Sequence, residues 1–338
     1  MTAVLAVADR SYVSGARRET EAIARRIGLR ADDVGRAGLV ATELATNLAR
    51  HGGGGSLLVQ PLPTPTVSGL ELIAIDRGPG MTDVAQSLRD GVSTYGSSGT
   101  DGSSGTGLGA IRRQADEFDI YSMPNQGTAL LARLWPSRKL PPAECARIGA
   151  ITVPKPEEQV CGDSFAVMIS GMTVAAMMVD GLGHGVAAHD AAEEARRLFR
   201  QGFQSSPIAA MRAIHAGLRA TRGGAVATLA LDLAASRLVF CGLGNIAGLA
   251  AADGKVRRFV SMNGIAGHTA ERLQEFIYPC DGPGLVVVLH SDGLSANWSF
   301  DRYAGLMGRH PSLIAAVLYR DLSRGRDDSA VLVIKRAA

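Results

Sequence analysis

A proline-rich segment divides this chain into two halves whose apolar residues follow different patterns. The segment WPSRKLPPAE, Trp135 to Glu144, contains three prolines, and proline interrupts helices and strands alike. The chain has 338 residues, which is enough for two separate hydrophobic cores. We therefore predict a first domain over residues 1–135, a linker over 136–144 and a second domain over 145–338.

The composition favours a folded protein and argues against two classes of partner. Hydrophobic residues make up 46% of the chain and charged residues 20%, and 35 Lys and Arg nearly balance 32 Asp and Glu. Because this balance provides no large basic face, we expect no nucleic-acid partner. No apolar run reaches the roughly 18 to 20 residues of a membrane span, and the start MTAVLAVADR lacks the basic region of a signal peptide. We expect a cytoplasmic protein with no membrane partner.

The first half predicts a strand, two helices, two strands, a loop, a helix and two more strands. Apolar residues recur at helical spacing near Ala16 to Ile27 and Asp33 to Arg50. Strands are predicted at Ser56 to Gln60 and Leu70 to Asp76. The stretch Gly91 to Gly109 is so rich in Gly and Ser that we predict a mobile loop.

One helix of the first half carries two polar residues on the same face. Glu43 and Asn47, within TELATNLARHG, are four residues apart, which is the spacing of neighbours on a helical face. On their own they are typical of the solvated stripe of an amphipathic helix. Two glycine-rich stretches accompany them: DRGPGM (76–81) follows a predicted strand, and SGTGLGA (104–110) opens the next helix. The combination indicates a binding site as well as a surface.

These residue types suit a ligand that carries both phosphates and a flat base. A carboxylate at a strand end, here Asp76, can accept a hydrogen bond from the amino group of adenine, and neighbouring glycines let the backbone approach a ring. Backbone amides at a helix N-terminus bind phosphate oxygens. Asn47 can ligate Mg²⁺ through its amide oxygen, and Glu43 can accept a proton from an attacking hydroxyl group.

The ordered set, completed by NQGT (125–128), resembles the ATP-binding GHKL family of gyrase, Hsp90-type chaperones, histidine kinases and MutL. With the stretches ELATN and DEFDI, it looks most like the RsbT and RsbW group of protein serine/threonine kinases. The resemblance covers about residues 1–135. It implies that Glu43 is the catalytic base and that Asn47 binds Mg²⁺. It also implies that ATP is held by Asp76, Gly78, Gly80, Gly105, Gly107, Leu108, Gly109 and Thr128.

The second half predicts an antiparallel sheet with helices packed on it. Short β-rich runs occur at Phe165 to Ile169, Thr173 to Val179, Ala227 to Leu233, Leu238 to Cys241 and Leu285 to His290. Helices are predicted at His189 to Phe203, Ile208 to Arg219 and Leu313 to Tyr319.

Four short stretches of the second half carry aspartates: CGDSF, VDGLGHG, HSDGL and GRDDSAVLVI. Asp-Gly is common in turns, which is the simplest interpretation of any one of them. Three of the stretches adjoin long apolar strands, where a sheet can bring acidic oxygens together. Converging carboxylates repel one another unless a cation lies between them. An all-oxygen set favours Mg²⁺ or Mn²⁺ over Zn²⁺.

The order of these stretches resembles the PPM-type metal-dependent protein phosphatases, and within them the bacterial SpoIIE branch, with RsbX as the best match. The resemblance covers roughly residues 144–338 and implies two Mn²⁺ or Mg²⁺ ions. The implied ligands are Asp163, Asp180, the carbonyl group of Gly181, Asp292 and Asp327, and the same aspartates are the implied catalytic residues. Asp328 would orient its neighbours. Ala330 departs from the family, which commonly has a threonine at that position.

Two histidines, His184 and His189, follow Asp180 closely in the sequence, and each could act at the predicted metal site or have no direct role there. His184 lies inside the G-H-G sequence next to Asp180, and we consider it as a ligand or an acid. The alternative is that it has no direct role. His189 is interpreted as a residue at the start of a helix.

Together these observations predict an α+β protein, with a GHKL (Bergerat) α/β sandwich followed by a PPM-type β-sandwich flanked by helices. The resemblances imply a bifunctional enzyme of bacterial partner switching, a phosphatase fused to a kinase-like domain, both acting on a STAS-domain phosphoprotein. The glycine-rich loop is longer than in the usual kinase, so an ATP-sensing or sigma-factor-binding domain without kinase activity is the alternative. The resemblance allows a homodimer, although no apolar stripe in the sequence indicates an interface.

Overall fold

The computed structural model describes residues 1–64, 68–88, 107–202 and 206–337. The chain forms a first compact unit over Thr2–Pro142 and a second one that begins at Ala143. The division falls inside the proline-rich segment. Within the described ranges, no helix is both long and apolar enough to cross a membrane.

The first unit is a five-stranded antiparallel sheet with its long helices on one face. Its helices are α1 (Val13–Arg26), α2 (Ala31–His51), α3 (Val84–Ser87) and α4 (Gly107–Gln114). Its strands are β1 (Ala3–Val7), β2 (Gly55–Pro63), β3 (Ser68–Ile75), β4 (Glu117–Ser122) and β5 (Thr128–Leu134). The strands lie in the order β1-β2-β3-β5-β4, and each neighbouring pair is antiparallel.

Helix α2 supplies much of the first core, because its apolar residues recur at helical spacing. Its buried residues include Val34, Ala37, Val40, Ala41, Leu44, Ala45 and Leu48. They pack in one cluster with the strand residues Leu57, Leu72 and Leu130. Burying each leucine contributes roughly 1.5 to 3 kcal/mol. Glu43 and Asn47 lie at the edge of this apolar stripe and are half-buried.

The predicted loop Gly91 to Gly109 falls mostly outside the described residues. Its last three residues, Gly107 to Gly109, form the first turn of α4, so the loop prediction was wrong for them. The glycine cluster SGTGLGA therefore does open a helix, as far as the described residues show.

The second unit contains three α-helices and ten strands among its described residues. The strands are β6 (Ala146–Val153), β7 (Asp163–Ser170), β8 (Thr173–Gly181), β9 (Gly224–Asp232), β10 (Arg237–Leu243), β11 (Ala247–Ala252), β12 (Lys255–Arg258), β13 (Phe276–Pro279), β14 (Val286–His290) and β15 (Ser329–Arg336). The helices are α5 (Val186–Gly202), α6 (Pro207–Gly217) and α7 (Pro311–Leu322).

These strands form two five-stranded antiparallel sheets, in the orders β13-β10-β9-β8-β7 and β12-β11-β14-β15-β6. Apolar residues of both sheets, among them Met178, Leu229 and Leu289, share one buried cluster, so the sheets pack face to face. Helices α5 and α6 cover the outer face of the first sheet through Phe199 and Met211. Helix α7 packs on strands β6 and β15 of the second.

A tight hairpin joins β7 to β8 and fixes their register. Ser170 pairs with Thr173 across the turn, and Asp163 pairs with Asp180 at the far end of the two strands. Gly171 in the turn has φ +57°, a conformation that favours glycine.

Four strands of the second unit were not predicted: β6, β11, β12 and β13. Strands β6 and β11 are rich in alanine and glycine, which are depleted in strands. Pairing with β15 and β14 places them in the second sheet nevertheless. At Gly149 of β6 a side chain would overlap the backbone of Ser312 in α7, so this glycine permits the close packing.

Candidate functional site

The first candidate site begins where α2 meets the start of α4. Glu43 and Asn47 occupy one face of α2, and the first residue of α4 lies against them. A Cβ atom added at Gly107 would lie 3.1 Å from Oε2 of Glu43 and 3.5 Å from Oδ1 of Asn47. The structure therefore brings these three predicted residues together. Gly105, which the sequence predicts to bind the phosphates together with Gly107, lies outside the described residues.

The carboxylate of Asp76 is held in place by the main chain at the end of β3. Its Oδ1 atom accepts hydrogen bonds from the backbone N–H groups of Gly78, at 2.8 Å, and Thr128, at 3.1 Å. The Thr128 hydroxyl lies 2.9 Å from that of Ser122 on the neighbouring strand β4. Asp76 and Thr128, both predicted near adenine, thus lie side by side with a fixed orientation.

The two glycines after Asp76 are required by close backbone packing. A Cβ atom at Gly78 would lie 2.8 Å from the carbonyl oxygen of Gly52, which caps α2. Gly80 has φ +67°, and a side chain there would overlap the carbonyl oxygen of Met123. Both residues therefore hold the loop against its neighbours, whatever part they take in binding a base.

The remaining predicted residues of this site lie in the first turn of α4. Leu108 packs against the core of the first unit, and Gly109 is buried. The Nδ2 atom of Asn47 is buried and has no hydrogen-bond partner within the described residues. A buried polar atom without a partner is costly, so it suits a polar ligand at this position. Together with the backbone amides at the start of α4, Asn47 fits the phosphate end of a nucleotide with Mg²⁺.

The second candidate site lies at one end of the β-sandwich and begins with two facing carboxylates. Asp163 opens β7, Asp180 lies near the end of β8, and the two residues are directly opposite in the antiparallel pair. Like charges in this arrangement repel. Burial raises the pKa of Asp163 well above its usual range, and the charge of Asp180 raises it further. Burial, followed by the charges of Asp292 and Asp327, raises the pKa of Asp180 to about 7.

Two further aspartates reach this cluster from the other sheet. Asp292 follows β14 and shares a hydrogen bond with Asp180, while its Oδ2 accepts a hydrogen bond from Asn245 at 2.8 Å. Asp327 precedes β15 and is exposed. Burial and the charge of Asp327 raise the pKa of Asp292, although Arg324 opposes this rise. The four predicted ligands thus influence one another electrostatically.

Asp328 is buried behind the other aspartates. Its Oδ1 accepts a hydrogen bond from the backbone N–H of Lys155 at 2.9 Å, and its own N–H donates to Oδ1 of Asp327 at 2.9 Å. Its Oδ2 has no partner within the described residues. Asp328 therefore connects the loop before β7 to Asp327, which suits an orienting role.

The aspartate cluster fits divalent cations by its charge and its donor atoms. Among the described residues, no three Asp, Glu, His or Cys side chains are oriented so that they could together hold one metal ion. The carboxylates are nevertheless close enough to raise one another's pKa, and Oδ2 of Asp163 is buried without a partner in the described ranges. Gly181 lies beside them, and its N–H donates to the carbonyl oxygen of Gly162 at 3.0 Å. This all-oxygen set suits Mg²⁺ or Mn²⁺.

The two histidines have different surroundings. His184 is half exposed, and its Nδ1 lies 2.6 Å from Oε1 of Glu158, which comes from the loop before β7. His189 lies in the first turn of α5, and its Nδ1 lies 3.0 Å from the carbonyl oxygen of Cys161. His184 is therefore accessible and lies four residues after Asp180 in the sequence, whereas His189 contacts the main chain.

Two polar residues that hold the aspartates, Ser291 and Asn245, were not predicted from the sequence. Ser291 is buried, its hydroxyl bonds to Asp163, and the same hydroxyl accepts the N–H of Ala330 at 2.9 Å. Asn245 holds Asp292, as described above. A signal was present for both, because each is a polar residue just after an apolar strand. Ser291 also supplies a hydroxyl group next to Ala330, where the expected threonine is absent.

Comparison with known proteins separates the two halves of the chain. Residues 6–134 match the family model of the histidine kinase-like ATPase domain. The chain is 32% identical over 113 residues to the serine/threonine-protein kinase RsbT of Bacillus subtilis (strain 168), which covers 33% of this chain and 80% of RsbT. This level of identity and coverage establishes a family relationship for the first unit.

Two solved structures share the fold of a larger part of the chain. The crystal structure of RsbX in complex with magnesium has a TM-score of 0.52 at 16% identity and covers 59% of this chain and 99% of RsbX. A chain from the bacterial stressosome has a TM-score of 0.52 at 23% identity and covers 56% of this chain and 100% of its own. With the sheets described above, these matches confirm the predicted fold class, a GHKL unit followed by a PPM-like β-sandwich.

Proposed function

The chain belongs, through its first unit, to the histidine kinase-like ATPase family and is a relative of RsbT, and from this premise we propose a bifunctional partner-switching regulator. The second unit would be a metal-dependent protein serine/threonine phosphatase. The first would be an ATP-dependent kinase for the same substrate. The aspartate cluster around the facing pair Asp163 and Asp180 carries the proposal, because it combines mutual repulsion with buried carboxylate oxygens.

In the phosphatase unit, the aspartates would hold the divalent cations, and the phosphoryl group of the substrate would bind beside them. Asp163, Asp180, Asp292 and Asp327, with the carbonyl group of Gly181, are the proposed ligands. When bound, two Mn²⁺ or Mg²⁺ ions would lower the pKa of a shared water and bind phosphoryl oxygens. Asn245 and Ser291 would orient Asp292 and Asp163, since each donates a hydrogen bond to its carboxylate. His184, backed by Glu158, would be able to protonate a leaving oxygen.

In the kinase unit, the residues divide between the two ends of the nucleotide. Asp76 and Thr128, with Gly78 and Gly80 beside them, would bind the adenine base. Gly105, Gly107, Leu108 and Gly109 would bind the phosphates through the main chain. Bound ATP with Mg²⁺, held by Asn47, would supply the phosphoryl group for transfer. Glu43 would accept the proton of the substrate hydroxyl, and its position next to Gly107 supports that role.

The proposed substrate of both units is a STAS-domain phosphoprotein of the anti-sigma antagonist type. The likeness to RsbT, a serine/threonine-protein kinase, supports a protein substrate for the first unit. The likeness in fold to a chain of the bacterial stressosome supports a place in the same kind of assembly. Opposing kinase and phosphatase activities on the same serine or threonine would let a single chain set the phosphorylation level of the substrate protein.

The phosphatase is tested by phosphate release from a phosphoserine STAS protein by the full chain with Mn²⁺. We expect Asp180→Asn to reduce release by at least about a hundredfold, because it removes a ligand carboxylate. Asp190→Asn is the matched control, since Asp190 is exposed on α5 and is not among the groups that shift the pKa of Asp180. Equal release by wild type and Asp180→Asn would contradict the proposal.

The kinase is tested by transfer from labelled ATP to the unphosphorylated STAS protein. The full chain carries Asp180→Asn in this experiment, so that the second unit does not remove the product. We expect Glu43→Ala to abolish transfer while ATP binding persists, and Glu19→Ala, an exposed control on α1, to have no effect. Binding of ATP without transfer by any variant would favour the alternative, an ATP-sensing or sigma-factor-binding domain that regulates the phosphatase.

A further inference from the structure

Arg324 lies in the turn between α7 and β15, beside the aspartates of the second unit. Its backbone N–H donates to the carbonyl oxygen of Gly293 at 2.9 Å. The preceding residue, Ser323, forms an isolated β-bridge with Leu294. These two contacts place Arg324 next to the residues that immediately follow Asp292. Main-chain pairing therefore fixes the position of Arg324 independently of its side chain.

The conformation of this turn is set by its own sequence. Gly325 has φ +66°, and its N–H donates to the Ser323 hydroxyl at 3.3 Å. A left-handed residue at this point reverses the chain sharply and is most easily provided by glycine. The turn thus holds Arg324 in a short, locally ordered segment, three residues before Asp327.

The guanidinium group of Arg324 is exposed and has no ion pair or hydrogen bond with the residues that the structure describes. Three other arginines of the second unit are paired with neighbouring carboxylates: Arg196 with Glu193, Arg197 with Glu194 and Arg320 with Asp321. Arg324 differs from them because it pairs with none of the described carboxylates, although it lies only three residues before Asp327.

The charge of Arg324 nevertheless reaches the cluster. Among the groups that lower the pKa of Asp292, Arg324 has the largest effect, although burial and Asp327 outweigh it. The guanidinium is thus within electrostatic range of Asp292 without an ion pair between them. This spacing leaves Arg324 able to bind an anion that approaches the proposed ligands.

A phosphate group is the anion that this arrangement suits. A phosphomonoester dianion is repelled by the carboxylates, and a guanidinium at the rim offsets that repulsion while it donates two parallel N–H groups to phosphate oxygens. Given the proposed phosphatase function, on which this inference rests, we propose that Arg324 is the phosphate-binding side chain of the second site. It contacts the phosphoryl oxygens of the substrate, and of inorganic phosphate as the product.

Binding and turnover are measured separately, on the full chain loaded with Mn²⁺. Calorimetric titration with inorganic phosphate gives the dissociation constant, and hydrolysis of p-nitrophenyl phosphate gives KM and kcat. The variants are Arg324→Ala, Arg324→Lys and Arg326→Ala. Arg326 is the matched control, because it is exposed in the same turn and is not among the groups that shift the pKa of Asp292.

We expect Arg324→Ala to raise the dissociation constant for phosphate and the KM by about tenfold, with a smaller change in kcat. Arg324→Lys should recover part of the binding, because an ammonium keeps the charge but not the paired donors. Arg326→Ala should resemble wild type. The affinity for Mn²⁺, titrated in the absence of phosphate, should stay the same or increase in Arg324→Ala, since a nearby positive charge has been removed.

Two results would overturn the inference. Equal loss of phosphate binding in Arg324→Ala and Arg326→Ala would mean that only the net charge of the turn matters. Weaker Mn²⁺ binding in Arg324→Ala would mean that the side chain supports the aspartates instead of the phosphate. The proposed function fails in a different way: wild type would not hydrolyse the ester, even while phosphate binding continued to depend on Arg324.

Discussion

The two candidate sites hold their carboxylates in opposite ways. In the first unit, one oxygen of Asp76 accepts hydrogen bonds from two backbone amides, which are uncharged donors of the same unit. In the second unit, Asp163 faces Asp180 across two strands, and one of its oxygens is buried with no partner in the described residues. The carboxylate of Asp76 is hydrogen-bonded by the main chain, whereas that of Asp163 belongs to a cluster of carboxylates that repel one another.

This difference shows which interactions hold each site in place. The first depends on backbone that passes very close to other backbone, so its glycines are its most sensitive positions. The second depends on several negative charges, so its stability should depend on cations more than on any one contact. Each unit also contains one of the two tryptophans, Trp135 and Trp298, and both are buried. Fluorescence of single-tryptophan variants can therefore follow the unfolding of each unit in the full chain.

The largest effect should come from adding a methyl group to the main-chain loop of the first site. Gly80→Ala should destabilise the first unit by about 2 to 5 kcal/mol, because it adds an overlap with Met123 to an unfavourable positive φ. Gly53→Ala is the control: Gly53 has φ +66° but nothing within 4 Å of the added atom, so about 1 to 2 kcal/mol is expected. Denaturant unfolding followed by Trp135, in a Trp298→Phe background, measures both. Equal losses would remove the argument from close packing.

The next largest effect should come from Mn²⁺, which should stabilise the second unit but not the first. At a free concentration 100 times its dissociation constant, a bound ion adds about 2.7 kcal/mol to the unfolding free energy of the unit that binds it. We expect this increase for the transition reported by Trp298, in a Trp135→Phe background, and no increase for the one reported by Trp135. In Asp180→Asn the increase should disappear. A similar increase in both transitions would show that the cation does not distinguish the sites.

Removal of one carboxylate from the cluster should stabilise the second unit when cations are absent. With EDTA present, Asp163→Asn should raise the unfolding free energy by about 1 to 2 kcal/mol, since it relieves repulsion from Asp180 and removes a buried carboxylate oxygen that has no partner in the described residues. With saturating Mn²⁺ the order should reverse, because the variant lacks a ligand. The same pair of measurements on Asp190→Asn should give no reversal. A variant less stable than wild type in EDTA would refute the repulsion argument.

The smallest effect should come from making the first site more like the second. Asn47→Asp places a second carboxylate one helical turn from Glu43, and like charges at this spacing cost about 0.2 to 0.5 kcal/mol. We expect a loss of about that size in low salt, followed by Trp135, and a somewhat smaller loss in high salt, because salt screens a half-buried pair only in part. Asn47→Gln, which keeps the amide, controls for altered packing. A loss that salt does not reduce would point to packing as its cause.

The sequence was sufficient to predict most elements of the two units and the strand ends at which the aspartates gather. Helix α2 has clear apolar periodicity, the runs before Asp76 and Asp180 are nearly continuously apolar, and the positions of all three agree with the structure. The ladders that place Asp163 opposite Asp180 were not predictable, because they depend on hairpin register. The alanine-rich strands β6 and β11 were missed, since their pairing partners, not their composition, place them in a sheet.

The residues that support the candidate sites were harder to predict for the same reason. Ser291 and Ala330 are 39 positions apart, and Asn245 and Asp292 are 47 apart, yet each pair is joined by a hydrogen bond. A main-chain hydrogen bond likewise joins Arg324 to Gly293, which is far from it in the sequence. Such partners follow from the folded topology. The roles assigned to the predicted site residues stay predictions that the variants above can test.

The hairpin between β7 and β8 limits where residues can be inserted into this protein. Gly171 and Met172 are the only residues between the paired positions Ser170 and Thr173, and from this turn the ladder runs to Asp163 and Asp180 without interruption. A shift of one residue would turn one of the two aspartates to the opposite face of the sheet. One residue inserted within β7, between the turn and Asp163, should therefore abolish cation binding while every ligand remains in the sequence. The same insertion in the turn itself can be absorbed by a longer hairpin loop.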